Sequence, residues 1–453
     1  MSFQPQKNRV KVAVTSLGCD KNRVDTENML GFLRQAGYEF TGQESLADVI
    51  LINTCAFIDQ AQQEAIETIL DLAQYKQTGR CRALVVAGCL PQRYAEALLA
   101  EMPEVDGLVG TGQVDKVAEV VARCLAGEKV VMVGAPGYLP ATAVPRVPTL
   151  PPYTTCIKIA EGCSNCCRYC VIPRLRGPYR SRPPEAVLED AKRAIAGGAK
   201  EIVLVAQDTT RYGSDRGNGI ALAGLVRCLA RLEGVRWIRL LYCYPTGITD
   251  DLLEVMASEP AVCRYLDIPI QHASDRILRA MGRPTTQAEL RKLLARVRRA
   301  VPGITIRSTF MVGYPGETDQ DFAQLLAFLE EMRFDRAGFF AFSPQEGTPA
   351  ARLPRQVPEH IKQERLEKVA TLQKRISHAL NRAKVGREIE VLVEGKRGRR
   401  YFGRTEADAP EVDGRVYFTG ELPVSPGDFV KVRITRAFPY DLEGEATDSS
   451  SSR

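Results

Sequence analysis

One pattern occurs three times near the start of this 453-residue chain: a short apolar run, a cysteine, then a stretch with helical periodicity. Residues 11–15 lead to Cys19 and a helix over 23–35; residues 48–53 lead to Cys55 and a helix over 61–75; residues 82–87 lead to Cys89 and a helix over 94–100. Repeated strand and helix implies a parallel, doubly wound sheet, because a parallel pair needs a long crossover and a helix supplies it. Cys19, Cys55 and Cys89 then share one address, the carboxyl ends of strands, where open α/β sheets gather ligands. Their separations, 55 − 19 = 36 and 89 − 55 = 34, each match one βαβ step. Buried cysteines often behave as small hydrophobes. Cys81, Cys124, Cys228, Cys243 and Cys263 have no matched positions and read that way, whereas the repeated placement of the trio points to a metal cluster.

A second concentration of thiols is local. Glu161-Gly162-Cys163-Ser164-Asn165-Cys166-Cys167-Arg168-Tyr169-Cys170 holds four cysteines in eight positions. The start of the chain is polar and basic, the apolar run 12–14 is too short for a signal sequence, and no stretch approaches membrane-span length. A cytoplasmic, reducing compartment follows as the expectation, and thiols there serve soft metals rather than disulfides. Two registers are open. Cys163, Cys166, Cys167 and Cys170 make two abutting C-x-x-C pairs, a zinc reading, although structural zinc sites draw their pairs from separated knuckles. Alternatively, Cys163, Cys167 and Cys170 hold three irons of a four-iron cluster with Cys166 a bystander, leaving one iron open.

Between residues 134 and 152 six prolines interrupt all periodicity, the mark of a linker. Six strand–helix units follow, with strands expected at 155–160, 201–206, 237–242, 265–269, 305–312 and 337–342, and helices at 184–196, 221–232, 250–258, 286–300 and 319–332. Six parallel units make three quarters of a (β/α) barrel, whose chemistry lies at the carboxyl ends of its strands. The cysteine-rich loop begins there, directly after the first strand. Later strand ends carry Gln207-Asp208-Thr209, Tyr244-Pro245-Thr246, Gln271-His272 and Gly313-Tyr314-Pro315-Gly316-Glu317 at the same rim. His272 alone reads as a hydrogen-bonding loop residue rather than a base.

A charged helix over 359–384 leads to short alternating strands at 388–393, 415–419 and 429–436, the pattern of a small antiparallel barrel of a kind that often holds nucleic acid. From Gly386 onward there are 11 Lys and Arg against 13 Asp and Glu, although the whole chain is +6. A phosphate-binding domain should be basic; this charge suits a basic protein partner. Residues 449–452 read as a polar, disordered tail. The fold class is therefore α/β: a doubly wound N-terminal domain over 10–125, a partial (β/α)6 barrel of the TIM type over 149–380, and a small β-barrel over 383–450.

The register Cys163-xxx-Cys167-xx-Cys170, with Tyr169 before its last cysteine, resembles the signature of radical S-adenosylmethionine (SAM) enzymes. The order of the three parts resembles the methylthiotransferase family across nearly the full chain. Within it, Ser16-Leu-Gly-Cys19-Asp-Lys-Asn22-Arg-Val-Asp25-Thr-Glu27, Tyr265-Leu-Asp-Ile-Pro-Ile-Gln-His272, Phe310-Met-Val-Gly-Tyr-Pro-Gly-Glu317 and Ala407-Asp-Ala-Pro-Glu-Val-Asp413 resemble the branch that modifies an aspartate β-carbon in the twelfth protein of the ribosomal small subunit. The tRNA-modifying branch usually has Gln-Met-Asn in place of Asp20-Lys21-Asn22.

The resemblance implies two 4Fe-4S clusters and SAM. Cys163, Cys167 and Cys170 would bind the SAM-cleaving cluster, and Cys19, Cys55 and Cys89 an auxiliary cluster that carries the sulfur. Tyr169 would pack near the adenine, and Gln207, Asp208 and the Gly313 turn would contact SAM. Ala206-Gln207-Asp208 departs from the superfamily's usual Gly-Gly-Glu. One SAM would generate the radical that takes a hydrogen from the aspartate, and a second would supply the methyl group. The small barrel resembles a TRAM domain. The implied partners are the ribosomal protein as substrate, a flavodoxin-type electron donor and a sulfur donor, with no membrane. The rival readings are tRNA adenosine methylthiolation and, from another class, a non-catalytic zinc protein that binds RNA.

Overall fold

A computed structural model of the chain describes residues 10–217, 220–420 and 424–448; the basic start before Val10 and the polar tail from 449 lie outside the described residues. The first sheet contains β1 (Lys11–Ser16), β2 (Glu39–Phe40), β3 (Val49–Thr54), β4 (Ala83–Gly88), β5 (Gly107–Val109) and β6 (Val130–Met132) in the order β2-β1-β3-β4-β5-β6. Every pair is parallel. Both β3 and β4 are buried along their whole length, as their unbroken apolar runs require when helices cover both faces. Sequence periodicity finds β1, β3 and β4 but not β2, β5 and β6, which are two or three residues long and carry too little pattern to register.

The second sheet is built from β7 (Thr154–Lys158), β10 (Glu201–Val205), β11 (Trp237–Leu240), β12 (Val262–Gln271), β13 (Thr305–Val312) and β14 (Arg336–Ala341), again all parallel. Its order, β14-β13-β12-β11-β10-β7, leaves it open with β14 and β7 at the edges. A short antiparallel pair, β8 (Ala160–Glu161) and β9 (Arg180–Ser181), brackets the cysteine loop. One set of alternate side chains, including Ile202, Leu204, Ile238, Leu266 and Ile306, packs under the helices. The other set, including Cys156, Val203, Leu241 and Tyr265, faces away from them and meets Val24 of the first domain and Leu392, Ala409 and Phe429 of the last. The lumen of the partial barrel is therefore filled from both neighbouring domains.

The last region is a closed barrel, β15 (Glu388–Arg397), β16 (Arg400–Arg404), β17 (Val416–Thr419), β19 (Leu442–Asp448) and β18 (Phe429–Ala437) in spatial order. Its seams are antiparallel except β17 with β19, which is parallel. The segment after β16 plugs the lumen. Arg239 donates to Glu406 O at 2.8 Å, Tyr265 Oη donates to Asp413 Oδ2 at 2.6 Å, and Arg336 pairs with Asp408 at 2.7 Å. Arg404 pairs with the wholly buried Glu201 at 2.6 Å. The motif 407–413 is thus the joint that locks the small barrel to the large one.

The expected linker does lack strand and helix, yet it is stapled down. Arg146 pairs with Glu27, Thr149 N–H donates to Glu27 Oε1 at 2.7 Å, and Arg182 donates to Pro140 O at 3.2 Å. One expectation is corrected: Cys228 is exposed, on the solvent side of the helix Leu222–Ala230, because helical periodicity places it opposite the buried Leu225, Val226 and Leu229. Cys81, Cys124, Cys243 and Cys263 are buried as expected.

Candidate active site

Each thiol of the N-terminal trio follows its strand closely. Cys19 caps the helix Asp20–Gln35, Cys55 directly follows Thr54, and Cys89 opens the helix Cys89–Glu101. Gly18 and Gly88 make the turns, at φ 90° and 95°, a left-handed conformation that glycine alone adopts without strain. A Cβ on Gly18 would lie 2.8 Å from Cys55 Cβ, and one on Gly88 2.6 Å from Thr54 O. The two glycines therefore let adjacent strand ends close on one another. Asn22 ties them together: its Nδ2 donates to Thr54 O at 3.0 Å, and Cys89 Sγ donates weakly to its Oδ1 at 3.9 Å. Burial, then the neighbouring Cys89 and Cys19 thiols, push Cys55 up to about 12. The three sulfurs are mutual neighbours.

The loop trio is organised differently. Gly162, at φ 78°, turns the chain where a Cβ would sit 2.1 Å from Pro178 O, and Cys163 N–H donates to Gly177 O at 3.0 Å. Asn165 N–H donates to Cys163 Sγ at 3.4 Å, and Asn165 Nδ2 to Asp208 Oδ2 at 2.9 Å. Arg283 approaches Cys167 Sγ at 3.8 Å, donates to Tyr169 Oη at 3.4 Å and lies over the ring of Tyr244. Burial raises Cys163 to about 11 and Cys170 to about 12; Cys167 acts on both, and Cys163 acts on Cys170. Cys166 is exposed and belongs to neither set of interactions. Among the described residues no three His, Cys, Asp or Glu side chains converge tightly enough to hold a single metal ion; a four-iron cluster is broader than one ion and binds one thiolate at each occupied corner.

The two trios meet through the short helix Ile172–Arg176, which begins two residues after Cys170. Val171 and Leu175 join the core of the first domain beside Cys89 and Leu90. Arg176 Nη2 donates to Cys89 Sγ at 3.6 Å, while Nη1 reaches Asp25 at 2.5 Å and Glu161 Oε2 at 3.4 Å. Lys158 completes the buried quartet by pairing with both Asp25 and Glu161. Burial alone would raise Glu161, but Lys158 and Arg176 outweigh it and hold its carboxyl at about 2. Two cations and two anions thus balance out of water, with Glu161 next to the Gly162 turn at one end and the Cys89 thiol at the other.

The remaining rim residues separate into acceptors and braces. Gln207 Nε2 donates to Glu161 Oε1 at 2.9 Å, and its buried Oε1 has no partner among the described residues. Asp208 uses both oxygens, accepting from Asn165 and from Thr210. The Gly313 N–H donates to Glu317 Oε2 at 2.7 Å, and the Cα of Gly313 is packed against Lys362. Tyr169 lies among Ile277, Met281, Met311, Tyr314 and Phe342. His272 is fully buried, accepts from Ser274 N–H at 2.9 Å, and is pushed by burial down to about 3, which fits a neutral loop residue. Arg176, Lys158 and Arg283 lie in no motif legible in the sequence, because their partners Cys89, Asp25 and Tyr169 become neighbours only on folding.

Three parts of the chain match described families: residues 11–110 an uncharacterized protein family, UPF0004; 157–329 the radical SAM superfamily; and 385–447 the TRAM domain. The ribosomal protein uS12 methylthiotransferase RimO of Desulforudis audaxviator is 60% identical over 432 residues, covering 95% of this chain and 96% of that protein. That of Pelotomaculum thermopropionicum is 52% identical over 439 residues, 96% and 99%. Among solved structures, the radical SAM methyltransferase TsrM from Kitasatospora setae superposes with a TM-score of 0.57 at 15% identity, covering 76% of this chain and 77% of TsrM, a likeness of fold. With identity this high spread across all three parts, the chain belongs to the ribosomal protein uS12 methylthiotransferase family.

Proposed function

We propose that this protein attaches a methylthio group to the β-carbon of an aspartate in ribosomal protein uS12. Two SAM molecules serve the reaction, one as radical source and one as methyl donor. The observation that carries this reading is the place of Arg176, whose guanidinium reaches Cys89 of the N-terminal trio and Glu161 beside the cysteine loop, on a helix that starts two residues after Cys170 and packs against the first domain. Nearly full-length identity to relatives named for uS12 favours it over the tRNA reading. When bound, the SAM-cleaving cluster supplies a radical able to take hydrogen from an unactivated C–H bond, which no side-chain base can do. Residues 10–125 would hold the auxiliary cluster through Cys19, Cys55 and Cys89, residues 149–380 the SAM-cleaving cluster through Cys163, Cys167 and Cys170, and residues 383–450 would recognise substrate.

The chain's own residues supply position and dryness. Arg283, with the hydroxyls of Tyr169 and Tyr244, surrounds Cys167 with hydrogen-bond donors. Gln207, with its free Oε1, is the rim residue best placed to accept from SAM, and Asp208 and Gly313 hold the loops around it. The balanced quartet keeps water from the seam between the two trios. Physiological use also calls for a flavodoxin-type electron donor and a sulfur donor. No described helix is long and apolar enough to cross a membrane.

The test is anaerobic reconstitution with purified uS12 and tRNA side by side, read by mass spectrometry. uS12 should gain one sulfur and one CH₂ at a single aspartate; a product on tRNA alone would overturn the reading.

A further inference from the structure

The helix Asp20–Gln35 buries a run of polar residues, and nearly every one has a polar partner. Asn22 binds Thr54 O, Asp25 binds Arg176, Thr26 accepts from Asn53, and Glu27 binds Thr149. Lys21 is the exception. It is 7% exposed, and among the described residues its Nζ has neither a hydrogen bond nor an ion pair; it lies 3.1 Å from the centre of the Tyr242 ring. An aromatic face offsets part of an ammonium group's lost hydration, but it provides no anion and fills none of the three N–H donors.

The ring beneath it is held with care. Tyr242 stands two residues beyond β11 at the barrel mouth with φ 60°, a conformation aromatic residues avoid. Its N–H donates to Asp267 Oδ2 at 3.0 Å and its hydroxyl to Asp20 Oδ2 at 3.1 Å. Strain sustained by surrounding bonds in this way concentrates where ligands bind. Lys21 is also two residues from Cys19, so the unmatched charge sits where the barrel mouth meets the N-terminal thiols. Gln271 Oε1, a buried polar atom without a partner among the described residues, lies on the end of the adjacent strand β12, with φ 76°.

We propose that Lys21 binds the side-chain carboxylate of the substrate aspartate and is a specificity-determining residue of the reaction; this rests on the function proposed above. The carbon to be modified is bonded directly to the carboxylate carbon, so a cation fixed on the oxygens places the reacting carbon one bond beyond its anchor. An asparagine offers that cation no charge, and an adenine offers no anion at all.

Reconstituted wild type, Lys21→Met and Lys21→Arg are to be assayed on uS12 and on uS12 carrying asparagine at the modified position, with iron content and thermal unfolding as controls of integrity. Lys21→Met should lower kcat/KM on the aspartate protein about 100-fold, the scale for removing one partner of a buried charge pair, chiefly through KM. Lys21→Arg should recover part of that loss. Wild type should lose a similar factor on the asparagine protein, and combining the two changes should cost little more than either alone. Additive losses, or Lys21→Met within threefold of wild type, overturn the proposal. If Lys21→Met fails to keep its iron, equal turnover of the aspartate and asparagine proteins by wild type overturns it instead. Wild type inactive on uS12 sinks the functional reading itself, and this proposal with it.

Discussion

The two thiol trios are assembled by opposite routes. Cys163, Cys167 and Cys170 come from one loop eight residues long, which brings its own Tyr169, and the barrel supplies Arg283 and Tyr244 around them. Cys19, Cys55 and Cys89 come from three strand ends scattered over 71 residues (89 − 19 + 1), and their surroundings belong to two domains at once, through Asn22 on one side and Arg176 on the other. A site on one loop depends on that loop's conformation. A site across a seam depends on the seam, so the N-terminal trio should be the more sensitive to changes far from any cysteine.

The largest expected effect separates the two sites outright. Replacing Cys19, Cys55 and Cys89 together by Ala should halve bound iron and sulfide while 5′-deoxyadenosine formation from SAM persists. The same change at Cys163, Cys167 and Cys170 should also halve the iron but abolish SAM cleavage. Next is Arg176→Met, which leaves Asp25 and Glu161 sharing Lys158 alone. Stripping a cation from a buried network costs about 3–5 kcal/mol, measurable by urea unfolding, and iron should be lost from the auxiliary site before the loop site.

Acid sharpens the same contrast with a smaller effect. The Glu161 carboxyl is held at about 2 against an ordinary value of 4.5. A depressed carboxyl contributes stability that is complete above pH 4.5 and is lost as pH falls through its folded value, on the order of 3 kcal/mol in all. Unfolding of the metal-free protein should therefore become easier between pH 4.5 and 2, and Glu161→Gln should flatten that part of the profile. The smallest effect is expected at Cys166, exposed and outside both trios. Cys166→Ser should leave iron content unchanged and alter stability by less than about 0.5 kcal/mol; loss of iron would return Cys166 to the ligand set and restore the paired C-x-x-C register.

Local pattern carried much of this. Apolar runs such as β3 and β4 were legible because burial on both faces demands continuous apolar sequence. The two- and three-residue strands β2, β5 and β6 were not, since their existence depends on the neighbour they pair with. Tyr242, expected inside a strand, lies beyond the end of β11 in a left-handed turn, because bonds to Asp267 and Asp20, residues distant in the chain, decide its backbone. Cys228 reads as core by its residue type and is placed in solvent by the phase of its helix.

The six cysteines, their spacing and the strand–helix alternation were determined by sequence alone, since covalent order and hydrophobic period need no partner to be read. Which charges those cysteines would meet was decided only by the tertiary structure. Arg176, Lys158, Asp25 and Glu161 sit up to 151 residues apart, and a buried ion pair exists only once two surfaces have excluded water from between them. The lone ammonium of Lys21 is equally invisible in one dimension, because the absence of a partner is a property of everything folded around it.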